Sequence, residues 1–132
     1  MLRQCAADIR LVRSEGILMS SNHVADLKAV TDETFEREVL QHPRPVLVEF
    51  GATWCPPCRM IAPVLAAIAE EHADTLSIRN VDIDENPSLA AAYRIMSAPT
   101  LILFRAGRPI LTVVGTRSKA KLLAELDSAL SA

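Results

Sequence analysis

Cys55 and Cys58, in the run Trp54-Cys55-Pro56-Pro57-Cys58, have the residue type and the spacing for dithiol redox chemistry. They follow the apolar run Pro45 to Phe50 directly and precede a helical pattern in which Ile61, Val64, Leu65 and Ile68 recur on one side. Two thiols at the mouth of a helix can close a small disulfide ring without moving the backbone. The helix N-terminus carries partial positive charge, so a thiolate there is stabilised and its pKa falls. Thiol–disulfide exchange needs an exposed nucleophilic sulfur and a second sulfur close enough to resolve the mixed disulfide. By position, Cys55 at the open end of the helix is expected to attack. Cys58, one turn inside and expected to be more shielded, resolves.

The elements that must hold this pair can be read along the chain. Residues 1–22 lack sustained periodicity and are expected to be a flexible extension, with Met19 as a second plausible beginning. A single domain is expected over residues 23–132. Val24 to Val30 reads as a first strand. Thr31 or Asp32 then caps a helix carrying Phe35, Val39 and Leu40, ended by Pro43 and Pro45. Val46 to Phe50 is nearly continuous apolar, as expected of a strand covered on both faces. Pro63 inside the following helix is expected to kink it. Leu76, Ile78, Val81 and Ile83 mark another strand, and Asn86-Pro87 opens a helix with Asn86 as its cap. Thr100 to Phe104 is a second buried strand. Ala106-Gly107-Arg108 turns it into an antiparallel Ile110 to Val114, and Ser118 caps a last helix bearing Leu122, Leu126 and Leu130. The order β-α-β-α-β-α-β-β-α gives an α/β fold, a mixed central sheet with helices on both faces. Cys55 falls at the C-terminal end of a buried strand, where such sheets place their chemistry.

Composition narrows the function classes. The 132 residues include 14 basic and 16 acidic side chains, for a net charge of −2, with the basic residues scattered and aromatics few. Nucleic-acid binding is not expected. No apolar run approaches the length of a membrane span, and charges stand where a signal peptide needs its apolar stretch, so a cytoplasmic location is expected. Three cysteines, two of them in the motif, do not make a secreted disulfide framework.

Val46 to Pro63, Val81 to Pro87, Ser97-Ala98-Pro99-Thr100-Leu101, Phe104 to Gly107 and Val114-Gly115 together resemble the thioredoxin family, in its order and spacing. The resemblance covers about Val24 to Ala132. It implies the thioredoxin fold and a protein-disulfide reductase in which Cys55 attacks and Cys58 resolves, cycling through a Cys55–Cys58 disulfide. It also implies a cis peptide before Pro99. Trp54, Pro56, Pro57, Ala98, Pro99 and Gly115 would form the collar on which partner polypeptides lie. The implied partners are oxidised protein substrates and a thioredoxin reductase. No bound cofactor is expected, since NADPH would act only through that reductase, and the chain is expected to be a monomer.

Two departures from the family pattern matter. Pro56-Pro57 stands where Gly-Pro is common. Glu49 stands where the family has a buried aspartate, and Asn80 where that aspartate often has a lysine partner. Glu49 is therefore expected to accept the proton of Cys58, with a pKa raised by desolvation in the absence of the cation. The competing reading is a strand glutamate facing water. An oxidase or isomerase of the same fold is a second functional reading, disfavoured by the reducing cytosol. A zinc-binding or purely partner-binding module is a third. Zinc needs four ligands, and no second C-x-x-C or paired histidines accompany the motif, with His23, His42 and His72 far apart. A non-catalytic role as a subunit of a larger complex could coexist with the redox site.

Overall fold

The computed structural model describes residues 27–132. The extension over residues 1–22, Cys5, His23 and the start of the strand expected from Val24 lie outside the described residues.

The apolar run after Pro45 becomes β2, Val46–Gly51, in which every residue is buried. It pairs in parallel with β3, Ser77–Asp82, and antiparallel with β4, Thr100–Arg105. The short β1, Lys28–Ala29, adds in parallel beyond β3, and β5, Arg108–Val114, adds antiparallel beyond β4. The strand order is thus β1-β3-β2-β4-β5. A strand flanked on both edges and covered on both faces has no water-facing side, which is why β2 reads as almost unbroken hydrophobics. Ala106 and Gly107 join β4 to β5 with φ of 53° and 79°. Two left-handed residues in a two-residue turn match the right-handed twist of a hairpin.

Alternation along β2 separates two cores. Leu47 faces α1, Pro56–Glu71, and α3, Lys119–Ser131, and packs there with Ile61, Leu65, Ile68, Leu101, Leu122 and Leu126. Val46, Val48 and Phe50 face the opposite way, towards Phe35, Val39, Leu89 and Phe104. Each fully buried aliphatic side chain contributes about 1.5–3 kcal/mol relative to exposure. Phe35, Tyr93 and Phe104 meet edge-on or tilted on this second face, with ring centroids 5.3–5.5 Å apart.

Two local expectations are corrected. The helix expected after Thr31 is a five-residue π-helical segment, Glu36–Leu40, although Phe35 and Val39 are buried as expected. The segment's N-cap is Phe35, without a side-chain cap bond, and Thr31 instead closes the turn before it, its Oγ1 accepting from Thr34 N at 3.3 Å while Thr34 Oγ1 accepts from Thr31 N at 2.9 Å. Asn86 precedes α2, Pro87–Ala92, but its side chain does not cap it. Its Oδ1 accepts from Asp32 N at 2.9 Å, and Asp32 Oδ1 takes over the cap by accepting from Leu89 N at 3.0 Å. Ser118 caps α3 as expected, accepting from Lys121 N at 3.2 Å.

Candidate active site

Cys55 is the N-cap of α1 and keeps an extended backbone, with φ −99° and ψ 106°. Pro56 and Pro57 take the first helical positions, where a backbone N–H would have no partner inside the helix, so their missing donors cost no helical bond. The first amide available is that of Cys58, which donates to Cys55 Sγ at 3.2 Å. The two sulfurs are joined as a disulfide, with Cα atoms 5.3 Å apart. When that bond is reduced, a thiolate on Cys55 keeps this amide and the helix terminus as its stabilising charges.

One expectation about the pair fails. Cys55 is not the more open cysteine: it is 2% exposed against 8% for Cys58. The loop before β4 accounts for this. The Ala98–Pro99 peptide is cis, and the Ala98 carbonyl oxygen lies 3.4 Å from Cys55 Sγ. Pro99 is itself buried, and its carbonyl accepts from Gly115 N at 2.9 Å, which ties the end of β5 to the same loop. Ala98 thus lies beside Cys55, and Pro99, next to it in the chain, is tied to Gly115. Trp54 stands 62% exposed, with Nε1 donating to Asp84 Oδ2 at 2.7 Å. Pro56 and Pro57 are exposed. Met60, Met96 and Val114 are large exposed apolar residues that the sequence reading passed over. Their nearness in sequence to Cys58, Ala98 and Gly115 was the signal available.

Glu49 shares the face of β2 that carries Leu47, two residues nearer the end where α1 begins. It is 8% exposed, and burial pushes its pKa from 4.5 to about 7. The reading of a strand glutamate facing water is therefore excluded. Asn80 is its direct partner across the β2–β3 ladder, and Asn80 Oδ1 is buried without a hydrogen-bond partner. A cavity of about 370 Å³ is lined by the buried Glu49, Gly51 and Cys58 and by the less buried Asn80, Asp82 and Arg59. Among the described residues no cluster of side chains could hold a metal ion, and no helix is long and apolar enough to cross a membrane.

Comparison with known proteins agrees with this geometry. The thioredoxin family model matches residues 26–128. A thioredoxin of Mycolicibacterium smegmatis is 50% identical over 104 residues, covering 77% of this chain and 93% of its own. Thioredoxin 1 of Synechococcus elongatus is 50% identical over 99 residues, covering 75% and 92%. A bifunctional thioredoxin reductase/thioredoxin of Mycobacterium leprae is 47% identical over 98 residues, covering 74% of this chain and 21% of its own. With a cysteine pair disulfide-bonded at a helix mouth beside a cis-proline loop, the chain belongs to the thioredoxin family of thiol–disulfide oxidoreductases, which reduce protein disulfides.

Proposed function

We propose that Cys55 is the attacking sulfur, Cys58 the resolving sulfur and Glu49 the group that takes up the resolving proton. The Cys55 thiolate attacks one sulfur of a substrate disulfide, forming a mixed disulfide and releasing the other substrate sulfur as a thiolate. Cys58 gives its proton to the Glu49 carboxylate and attacks the Cys55 sulfur. The Cys55–Cys58 bond forms, the mixed disulfide breaks and the second substrate thiolate leaves. Two electrons have passed from the protein dithiol to the substrate. The observation that carries this order is the N-cap position of Cys55, whose sulfur accepts from the Cys58 amide. A thiolate so placed is formed at lower pH and is the better leaving group on re-reduction.

The substrate polypeptide is proposed to lie against Trp54, Pro56, Pro57, Ala98 and Gly115, with Pro99 beneath them. Electrons are proposed to return from NADPH through a thioredoxin reductase, with no cofactor resident on this chain; the M. leprae relative whose name joins both activities supports that partner. We further propose a monomer acting in the cytoplasm, with residues 1–22 dispensable, since the family match begins at residue 26.

A coupled assay with NADPH, a thioredoxin reductase and insulin tests the reading. Sustained NADPH oxidation and precipitation of the freed insulin chains are expected, and a chain begun at Met19 should keep that turnover. Failure to turn over with an intact Cys55–Cys58 bond would replace the reductase with the oxidant or scaffold reading.

A further inference from the structure

Gly51 has no backbone reason to be glycine. It is the last residue of β2, hydrogen-bonded into the ladder opposite Asp82, and its φ is not left-handed. Glycine inside a strand forgoes packing and rigidity, so its presence marks a place where something else approaches closely. What approaches is the carboxyl of Glu49. The two residues are two apart on one strand and share a face. A Cβ at Gly51 would stand closer to Glu49 Oε2 than non-bonded atoms approach, and 3.1 Å from both Glu49 Cδ and Cys58 Sγ. The point where a side chain would begin is thus the joint between the proton acceptor and the resolving sulfur.

We propose that Gly51 is a positioning residue for the resolving step: by carrying no side chain it lets the Glu49 carboxyl lie beside Cys58 and keeps that carboxyl open to the adjoining cavity. This rests on the reading of Glu49 as proton acceptor and names what makes a glutamate workable there. The cavity is lined both by the buried Glu49, Gly51 and Cys58 and by the exposed Thr53 and Arg59. The carboxyl thus neighbours the sulfur and lines a cavity that also reaches exposed side chains, so a proton taken from Cys58 can be passed outward. The other charged or titratable groups lining that cavity are Arg59 from α1 and Asp82 from β3. From β4, Leu101 lies opposite Glu49 and brings no charge, and Leu27 at the cavity edge brings none. Burial acts on the carboxyl without an offsetting cation.

The test exploits the one methylene by which glutamate exceeds aspartate. Rates of mixed-disulfide formation and resolution are followed by stopped flow from pH 5 to 9 in wild type, Glu49→Gln, Gly51→Ala, Glu49→Asp and the Gly51→Ala/Glu49→Asp double variant. In Gly51→Ala the added methyl turns the carboxyl away from Cys58. The ratio of resolution rate to attack rate should fall about tenfold or more, and the inflection contributed by Glu49 should leave the pH profile of resolution. The double variant should regain most of that ratio and its inflection, because the shorter carboxyl clears the methyl. A loss in Glu49→Gln with none in Gly51→Ala overturns the role of Gly51 alone. No loss in Glu49→Gln overturns the proton-acceptor reading and this inference with it. If Gly51→Ala does not fold, recovery of the thermal melt and of resolution in the double variant still locates the clash at the carboxyl. A double variant no better than Gly51→Ala overturns the proposal.

Discussion

Glu49 and Asn80 face each other as Cα partners in the parallel ladder of β2 and β3, and together they bring one ionisable carboxyl and no cation into the interior. Asn80 cannot neutralise a carboxylate, so burial is the influence that acts on Glu49 and it favours the proton. The same residue is poised to exchange that proton near neutral pH, which is where a general base works best.

That poise has a stability signature. The folded carboxyl titrates near 7 against an ordinary 4.5, so the folded state binds the extra proton between these values. Its contribution is fully present below about pH 4.5 and is lost as pH rises through 7, at a cost of about 3 kcal/mol by slightly alkaline pH. Glu49→Gln should be more stable than wild type at pH 8 and converge with it near pH 5, while resolving mixed disulfides about 10- to 100-fold more slowly. Thermal melts of the oxidised protein across that range check the first part. A wild-type advantage that grows with pH would contradict it.

Cys58→Ser should accumulate mixed disulfides with substrate proteins, and Cys55→Ser should accumulate few. Because Cys55 is the less exposed of the two, the distinction depends on its charge environment at the helix terminus rather than on access. Alkylation of the reduced protein at neutral pH, mapped by mass spectrometry, should mark Cys55 first.

Asp84→Ala releases the indole of Trp54 from its hydrogen bond. A hydrogen bond to a charged group is worth about 1.5 kcal/mol at the low end that exposure sets, so KM for a protein disulfide should rise up to about tenfold. Turnover of a small-molecule disulfide, which does not need the indole as a platform, should change far less. Equal effects on both substrates would mean that Asp84 acts on the thiols instead.

Pro56→Gly should make the protein less reducing. Proline at the first helical position limits the reduced loop, and it presents no N–H to the Cys55 sulfur, leaving the Cys58 amide as the donor there. Glycine relaxes the loop and adds a donor, and both favour the dithiol. Equilibration against glutathione should show a less negative potential for the variant.

Much of this was legible from residues. β2, β4, α1 and α3 carry periodicities that only one face or two buried faces can satisfy, and Ala106-Gly107 supplies a turn of the right hand. Contacts distant in sequence were not legible. Asn86-Pro87 looks like a cap from its neighbours alone, but its side chain is drawn to Asp32, 54 residues earlier. Cys55 looks open at a helix end until the Ala98–Pro99 loop, 43 residues on, covers it. The spacing of Phe35 and Val39 suits a π-helical turn as well as an α-helical one, so it could not separate them. The burial of Glu49 was readable because hydrophobics flank it. The role of Gly51 was not, since a glycine announces a close approach without saying what approaches.

The central sheet is opaque: its two faces hold no side chain in common. Cys58 and Glu49 belong to the side of α1, while Phe35, Phe50, Tyr93 and Phe104 fill the other, which reaches the cavity through Val81 and none of its aromatic rings. Evolution can therefore tune how long the molecule survives through one set of residues and how it moves electrons through another. Drift in the aromatic layer would change its lifetime and leave its reactivity largely alone.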